Sequence, residues 1–563
     1  FTAPNALDFG ESEKDAVSLE GAEYVVFDGL RIRGTRGRRV FRMKNCRYVR
    51  FINCDFSRWG RVGKPRFDQY GRNFMPDMDR KSYGINYDSA IEIGEGCFGV
   101  TVERCYFHEP RGRANSWFYS HPSGPEAIVM DRPEGSTVIR WNDFVGSDLH
   151  RYNDAVEGTG NFNRSGGFNR DADIYGNFMN LCNDDCIELD GGQRNVRCFG
   201  NRFEGALCGV SVQGCMASPS YVCDNLFSGM GDRFGESGQT IKTSGFDPDK
   251  TSPFCLVHDN ILWGGGTGFY LASVSEKARY DVRNNVFCGG QRLEGKVKAA
   301  PAGNLREEDN AHGVEIGERD LPVEFPRRPL GFTLDRARLT DSFETAATSF
   351  VVRAVSHSRE PVSFRIAKNE AFDWFDVRPA SGTIPAHGEV SFVVAPENGR
   401  MGERRFWRGS FLVRTPDGLS RPFSFELENR AFVEPFRCEK PGEIAVYAEM
   451  EPFILDGERE FAFDWPKDAR GWFLLRLAGP MNAPYEVSVD GSAWAASHVQ
   501  GFPGLANWSI VSPATRLWKS RIASFNLKAG RHALKVRAVD GSPGTIRIEG
   551  AVLTDSPGSF EPR

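Results

Sequence analysis

Three aspartates in the first half of the chain stand at the start of two short apolar segments with the character of β-strands. Asp154 precedes AVEG, and Asp184 and Asp185 precede CIELD. If the two segments stack, the carboxylates face each other, and their repulsion raises the pKa of one member toward that of a general acid. A protonated and an ionised carboxyl group at one site are what glycoside hydrolysis requires. The same oxygen atoms could instead hold a calcium ion.

Several other side chains are candidates for binding a substrate beside these aspartates. We expect Lys242 to contact an oxygen or a charge of the substrate, and an ion pair with a neighbouring acid is the alternative. His150 lies just before Asp154 in the sequence and could join the same site. The candidates for hydrogen bonds to sugar hydroxyls or for stacking on a sugar ring are Glu157, Glu188, Asp190 and Tyr270. No dedicated metal ligand is predicted, and calcium at the acidic residues is the one cofactor considered.

These residues belong to an internal repeat that predicts the fold. A short strand-like run with Asn or Asp before an apolar residue recurs through the first half, and Asn177, Asn201 and Asn225 lie 24 residues apart. A second run of alternating character follows each copy of the first. A period of this length, with β-branched and aromatic residues in short runs, is typical of a parallel β-helix. An Asn at a fixed point of each coil tolerates left-handed dihedral angles and can hydrogen-bond to its stacked copies.

The alternation of each second run assigns its residues to the two faces of one sheet. If Ile128, Val156 and Ile187 point into the core, the next residue of each run points outward. The predicted outward column is Arg42, Glu92, Val129, Glu157, Glu188, Ser211, Lys242 and Tyr270. The predicted column at the strand starts is Arg39, Ser89, Glu126, Asp154, Asp185, Cys208, Gln239 and Thr267. Because like charges on neighbouring strands are destabilising, this ladder of carboxylates favours a functional site over a merely solvated surface.

The residues around the aspartates also resemble a known enzyme family. NDDCIEL (183–189) resembles the Gly-Asp-Asp-Cys-Ile segment of glycoside hydrolase family 28, the polygalacturonases. YNDAVE (152–157) takes the place of that family's Asn-Thr-Asp-Gly segment. CGVSV (208–212) and TIKT (240–243) stand where the family has Gly-His-Gly and Arg-Ile-Lys. The resemblance covers roughly residues 150–245 and implies a right-handed parallel β-helix.

The resemblance implies a role for each matched residue. Asp184 would protonate the glycosidic oxygen, and Asp154 and Asp185 would hold and deprotonate the attacking water, which gives inversion at the anomeric carbon. Two departures stand beside these matches, since Cys208 occupies the place of the family's His and Thr240 that of its Arg. The family's recognition of a galacturonate carboxylate is therefore not carried over.

The periodicities divide the chain into three all-β units. Residues 1–318 are predicted to form the right-handed parallel β-helix. Residues 319–432, after a proline-rich segment, carry alternating strands typical of an immunoglobulin-like antiparallel β-sandwich. Residues 433–563 look like a jelly-roll-like β-sandwich of the kind found in carbohydrate-binding modules. The 13 cysteines are spaced too irregularly for a disulfide framework, so free thiols are expected.

Composition narrows the classes of function. The net charge of −5, from 70 Lys and Arg against 75 Asp and Glu, excludes a nucleic-acid footprint along the whole chain. No apolar run is long enough for a membrane span. We expect a secreted or periplasmic bacterial glycoside hydrolase that acts on a polysaccharide or oligosaccharide, as a monomer or small homo-oligomer.

Two alternatives remain open from the sequence. A polysaccharide lyase acting on a uronic-acid glycan by β-elimination would recruit Lys242, His150 or Tyr152 as its base. A non-catalytic glycan-binding protein would use the β-helix as a rigid rod. The adjacent acids Asp184 and Asp185 favour the hydrolase over the binding protein.

Overall fold

The computed structural model describes most of the chain. The described residues are 6–10, 12–62, 85–114, 122–213, 215–231, 238–243, 254–273, 277, 279–300, 302–401, 404–432, 444–479, 483–498, 507–511, 525–539 and 546–555.

The first part of the structure is a parallel β-helix, in which each coil contributes strands to three long sheets. Within the described residues, sheet 1 has 11 strands, and sheets 2 and 3 have 10 each. The strands of sheet 1 are Ala6–Asp8, Arg31–Arg33, Asp55–Ser57, Tyr106–His108, Asp143–Val145, Phe178–Asn180, Arg202–Glu204, Leu226–Ser228, Ile261–Trp263, Val286–Cys288 and Ala311–Val314. The strands of sheet 2 are Val17–Glu20, Arg39–Lys44, Asp88–Ile93, Pro125–Met130, Val156–Gly158, Asp185–Glu188, Cys208–Ser211, Gln239–Thr243, Thr267–Leu271 and Leu293–Gly295. The strands of sheet 3 are Val26–Asp28, Arg50–Ile52, Thr101–Glu103, Val138–Arg140, Arg170–Tyr175, Arg194–Phe199, Ser220–Cys223, Phe254–His258, Arg279–Arg283 and Leu305–Glu308.

Columns of apolar side chains fill the interior of the β-helix. On sheet 1, Phe56, Phe107 and Phe144 are register partners, and their rings stack with centroids 4.8 Å apart. This spacing is the distance between neighbouring strands of a sheet, so the rings stack without distorting the backbone. On sheet 2, the predicted inward column is buried, and its members are Phe41, Ile91, Ile128, Val156, Ile187, Val210, Ile241 and Phe269. The prediction of an all-β chain that begins with a parallel β-helix is confirmed.

An asparagine ladder runs through the corner between sheets 3 and 1. The side-chain oxygen of Asn201 accepts hydrogen bonds from the backbone N–H and the side-chain amide of Asn177, both at 2.9 Å. The amide of Asn201 donates to Asn225 Oδ1 and to the Ile174 carbonyl, both at 3.0 Å. The same pattern links Asn142, Asn177, Asn201, Asn225, Asn260, Asn285 and Asn310. The predicted bonding between stacked Asn residues is confirmed.

The cysteines of the β-helix are free thiols. All 12 cysteines within the described residues are unpaired, and all except Cys223 are buried. Burial raises the pKa of the Cys105 and Cys198 thiols well above the usual value, so these groups stay protonated and pack as small apolar side chains. Cys438 lies outside the described residues.

Two sandwich-like units of mainly antiparallel strands follow the β-helix. The four-stranded sheet of the first is formed, in spatial order, by Phe332–Leu334, Phe350–Ser356, Glu389–Pro396 and Phe375–Arg378. Its five-stranded sheet is formed by Arg338–Phe343, Ser420–Asn429, Phe406–Arg414, Val362–Lys368 and Ser381–Ile384. The first two strands of that second sheet pair in parallel, and the other neighbours in both sheets are antiparallel.

The last unit also has two sheets. One is formed by Ala445–Tyr447, Phe453–Ile454, Ala469–Ala478, Asn507–Ile510, Phe525–Leu527 and Arg547–Thr554. The other is formed by Glu458–Trp465, Gly530–Ala538, Pro484–Val489 and Ala495–His498. Short 3-10 helices within the described residues are Lys296–Ala299, Glu318–Asp320 and Asn398–Arg400. None of the described helices has the length and apolar character needed to cross a membrane.

A buried ion pair fastens the first sandwich unit to sheet 1. Arg328 Nη1 lies 2.9 Å from Asp143 Oδ1, and both side chains are 0% exposed. The same guanidinium donates to the backbone carbonyls of Gly176 and Asn142, both at 2.7 Å. Ser420 Oγ, from the sandwich, donates to Asp143 Oδ2 at 2.6 Å. Because both charges are fully paired and hydrogen-bonded, this contact holds the two units in one geometry.

Further polar contacts extend this junction along sheet 1. The backbone N–H of Arg327 donates to the Gly200 carbonyl at 2.8 Å, and its guanidinium lies 3.0 Å from Asp224 Oδ1. In the same coil as Gly200, Arg202 donates to Ser424 Oγ of the sandwich at 2.7 Å. Sheet 1 is therefore covered by the sandwich along part of its length.

Candidate active site

Sheet 2 carries both predicted polar columns in the predicted register. The outward column passes through Val129, Glu157, Glu188, Ser211, Lys242 and Tyr270. In the column at the strand starts, Asp185 pairs with Cys208, and Gln239 with Thr267. Asp154 stands two residues before its core residue Val156, as Asp185 does before Ile187, and those two core residues pair directly. The stacking of coils thus brings the predicted acids to one face.

Asp154, Asp184 and Asp185, named here the aspartate trio, form the centre of this face. One carboxylate oxygen of each lies within 4.8 Å of the others, and all three residues are buried. The backbone N–H of Asp185 donates to Asp154 Oδ1 at 2.6 Å, and Asn153 Nδ2 donates to Asp154 Oδ2 at 3.2 Å. The backbone places the trio by bonding between coils, since the Asp184 N–H donates to the Asn153 carbonyl at 3.1 Å.

Lys242 is the cation of the aspartate trio. Its Nζ lies 2.8 Å from Asp185 Oδ2 and 3.7 Å from Asp184 Oδ1. Burial acts to lower the pKa of this ammonium, but the charges of Asp185 and Asp184 outweigh burial and hold the pKa well above its usual value. Lys242 therefore stays protonated, and the ion pair that the sequence offered as an alternative to substrate binding is present.

The burial of the trio changes the protonation of its acids. Burial, together with the charges of Asp184 and Asp185, raises the pKa of Asp154 well above its usual value. Burial also raises the pKa of Asp185, to about 6, although Lys242 opposes the shift. Three carboxylates beside one ammonium therefore retain a proton at a pH where isolated aspartates are ionised.

A second group of acids continues the face from the trio. Asp154, Glu157 and Glu188 each offer an oxygen within 4.8 Å of the other two. Asn161 Nδ2 donates to Glu188 Oε1 at 2.9 Å. Burial raises the pKa of Asp190 to about 7, and Ser211 Oγ donates to its Oδ1 at 2.8 Å. These residues give the outward face of sheet 2 a dense patch of carboxyl groups.

Tyr270 and His150, the two remaining predicted residues, lie in different places. Tyr270 is half-buried on the outward column, directly beside Lys242. His150 contacts other partners, because its Nδ1 lies 3.1 Å from the Gly112 carbonyl and its Nε2 lies 3.3 Å from Glu109 Oε1.

Asn86 and Tyr87, which border the acidic face of sheet 2, were missed by sequence reasoning. The charge of Glu157, then burial and the charges of Glu126 and Glu188, raise the pKa of Tyr87 well above its usual value. Asn86 Oδ1 accepts a hydrogen bond from Asn153 Nδ2 at 3.2 Å. The available signal was position, since both residues immediately precede the strand Asp88–Ile93 of sheet 2.

Asp88, the residue after Tyr87, makes the stability of the protein depend on pH. Burial raises its pKa to about 6 against the opposing effect of Arg61, whose Nη2 lies 2.7 Å from Asp88 Oδ1. An aspartate in an unfolded chain has a pKa of about 3.9. The folded state thus binds this proton more tightly, and the free energy of unfolding falls as the pH rises from about 4 to about 6. Asp88→Asn mimics the protonated form and is expected to remove up to roughly 3 kcal/mol of that fall.

Urea unfolding of the two proteins at about pH 4 and about pH 7.5 measures this effect. Glu20→Gln is the matched control, because Glu20 is an exposed acid on the same sheet. An equal loss of stability with rising pH in the wild type and in Asp88→Asn would contradict the prediction.

Comparisons with known proteins add only distant similarities. No protein family and no curated protein matches the chain. The chain is similar to the isomalto-dextranase of Arthrobacter globiformis T6 complexed with panose, at 13% identity over 37% of this chain and 35% of that one, with a TM-score of 0.12. It is similar to the Bacteroides uniformis β-glucuronidase, at 11% identity over 45% of this chain and 36% of that one, with a TM-score of 0.14. It is also similar to WR4, a C. elegans MSP family member, at 13% identity over 18% of this chain and 97% of that one, with a TM-score of 0.14.

TM-scores this low support no inference about activity. The chain is therefore characterised by its own fold and residues, as a parallel β-helix that carries a buried trio of aspartates paired with one lysine.

Proposed function

We propose that the chain hydrolyses glycosidic bonds of a polysaccharide or oligosaccharide at the acidic face of sheet 2. The observation that carries the proposal is the buried aspartate trio with its lysine. Three acids and one ammonium in a buried site hold protonated and ionised carboxyl groups side by side at neutral pH. A proton for the leaving oxygen and a base for water are the two requirements of this reaction.

The hydrogen bonds of the trio support separate roles for its members. Both oxygens of Asp154 accept N–H hydrogen bonds, and Asp185 is paired with Lys242; these contacts oppose the burial and repulsion that raise the pKa of both groups. Following the family resemblance, we assign Asp184 as the general acid, and Asp154 and Asp185 as the base that holds and deprotonates water.

The spacing of the trio bears on the stereochemistry. Inverting glycosidases commonly separate their two carboxyl groups by about 6.5–9.5 Å, and retaining enzymes by about 5–5.5 Å. The nearest oxygens of the trio lie within 4.8 Å. Inversion, which the family resemblance implies, then requires the water to lie beside Asp154 and Asp185 rather than between two distant carboxylates. Proton NMR of the first sugar anomer formed distinguishes the two outcomes, and we expect inversion.

The lyase alternative is supported less well, because each base suggested for it is unsuited. Lys242 is held protonated by the trio. Tyr152 is fully buried, and its hydroxyl donates to the Phe107 carbonyl at 3.0 Å. His150 is engaged with Gly112 and Glu109. A base for β-elimination must be deprotonated and within reach of the substrate.

Digestion of neutral, uronic-acid and sulfated polysaccharides tests the proposal. New reducing ends and ultraviolet absorbance from unsaturated uronates are followed together. We expect reducing ends without absorbance, and no product with Asp184→Asn. Absorbance would replace the hydrolase with the lyase, and affinity for a glycan without turnover would replace it with the binding protein.

A further inference from the structure

The acidic face of sheet 2 contains a second candidate site beside the aspartate trio. Asp154, Glu157 and Glu188 offer three oxygens that lie within 4.8 Å of one another. Calcium binds oxygen ligands at about 2.3–2.6 Å, so two ligands of one ion are separated by at most about twice that distance. The three oxygens satisfy this limit.

A fourth buried carboxylate points to a missing ligand at this place. Glu126 is 0% exposed, and within the described part of the chain its side-chain oxygens have no partner other than the carboxyl group of Glu157 and the backbone of Tyr87. It stands one coil before Asp154 at the equivalent position of its strand, and its charge acts on Glu157. Glu157 Oε2 is likewise buried and without a partner among the described residues. A buried carboxylate that lacks hydrogen bonds and a cation is strongly destabilising.

In the neighbouring aspartate trio, a lysine of the chain offsets the buried negative charge. There, Lys242 supplies a positive charge at 2.8 Å from Asp185. Among the residues that the structure describes, no Lys or Arg forms an ion pair with Glu126, Glu157 or Glu188, and Glu188 accepts one hydrogen bond from the neutral amide of Asn161. The second group therefore has the carboxylates of an ion site without a cation from the chain.

We propose that Asp154, Glu157 and Glu188 bind a calcium ion, with Glu126 beside the site. Ligands that are all carboxylate oxygens suit calcium, whereas magnesium demands shorter bonds in strict octahedral geometry and retains several waters. The bound ion would offset the negative charge of these buried carboxylates. The site goes beyond the proposed hydrolysis, since ion binding needs no substrate and no turnover.

Calorimetric titration of the chelator-treated full chain with CaCl2 tests the site. We expect one calcium ion per chain and clearly weaker binding of MgCl2. Glu157→Gln and Glu188→Gln keep the side-chain shape and are each expected to weaken calcium binding at least tenfold. Glu294→Gln is the matched control, because Glu294 lies on the outward column beyond Tyr270 and makes the same change of charge away from the site.

Thermal unfolding gives a second measurement on the same proteins. Calcium is expected to raise the Tm of the wild type and of Glu294→Gln, and to leave the Tm of Glu188→Gln unchanged. Calcium binding weaker than about 1 mM, the weak end for protein sites, or equal affinity in all variants would overturn the site. These measurements involve no substrate, so a failure to hydrolyse glycans would not affect them.

Discussion

Replacing Asp184 with asparagine is expected to lower kcat on a natural glycoside by about 10²–10⁴-fold, the usual contribution of general acid catalysis. Asparagine keeps the shape of the side chain but has no carboxyl proton to give to the leaving oxygen. An aryl glycoside whose leaving group departs without protonation should lose far less activity. The ratio of kcat between the two substrates, in the wild type and in the variant, measures the role directly.

Two further variants complete this experiment. Asp154→Asn is expected to lose activity on both substrates, because it removes part of the base for water rather than the acid. Asp173→Asn, on sheet 3 and paired with Arg197, should retain wild-type rates. If Asp154→Asn, and not Asp184→Asn, kept its activity on the aryl glycoside, the two roles would be exchanged. Unchanged rates in Asp184→Asn would remove it from the reaction.

Replacing Asn201 with alanine is expected to lower the free energy of unfolding by about 4 kcal/mol. The substitution removes the oxygen that accepts the backbone N–H and the side-chain amide of Asn177. Both donors lie in the buried corner of the β-helix, and a buried donor left unpaired costs about 1–3 kcal/mol. The Ile174 carbonyl also loses its side-chain donor. Urea unfolding of the two proteins measures the difference.

Asn310, at the end of the asparagine ladder, supplies the control for Asn201→Ala. Asn310 lies at the far end and is less buried, so water can replace its bonds, and Asn310→Ala should cost clearly less than Asn201→Ala. Asn201→Asp keeps the acceptor oxygen but loses the amide donors to Ile174 and Asn225. Equal losses at Asn201 and Asn310 would show that the ladder contributes less than its buried hydrogen bonds indicate.

The parts of the fold that repeat along the chain were predictable from the sequence. The spacing of Asn177, Asn201 and Asn225 fixed one point in each coil, and the alternation around Val156 and Ile187 fixed which side chains face outward. Since a one-residue shift would expose the core column, the register of sheet 2 follows from the pattern alone.

Features that depend on distant contacts were not predictable in the same way. Whether Lys242 binds substrate or pairs with an acid depends on distances between side chains, and the structure places it against Asp185. The ring of His150 lies in a corner between strands, where alternation does not assign a direction. Asn86 and Tyr87 belong to an earlier coil than the trio. Only the stacking of coils brings Asn86 into contact with Asn153, the residue before Asp154.

The contact of Arg327 and Arg328 with sheet 1 affects how the molecule comes apart. In a solenoid, each coil contacts only its neighbours, so coils can detach one at a time from an end. This two-residue segment bonds to backbone or side-chain atoms at residues 142–143, 176, 200 and 224, which belong to four consecutive coils. The segment therefore ties these four coils to one another. We expect the coils under the sandwich to unfold together. The middle of the β-helix should then unfold last when the protein is heated, digested by a protease or pulled.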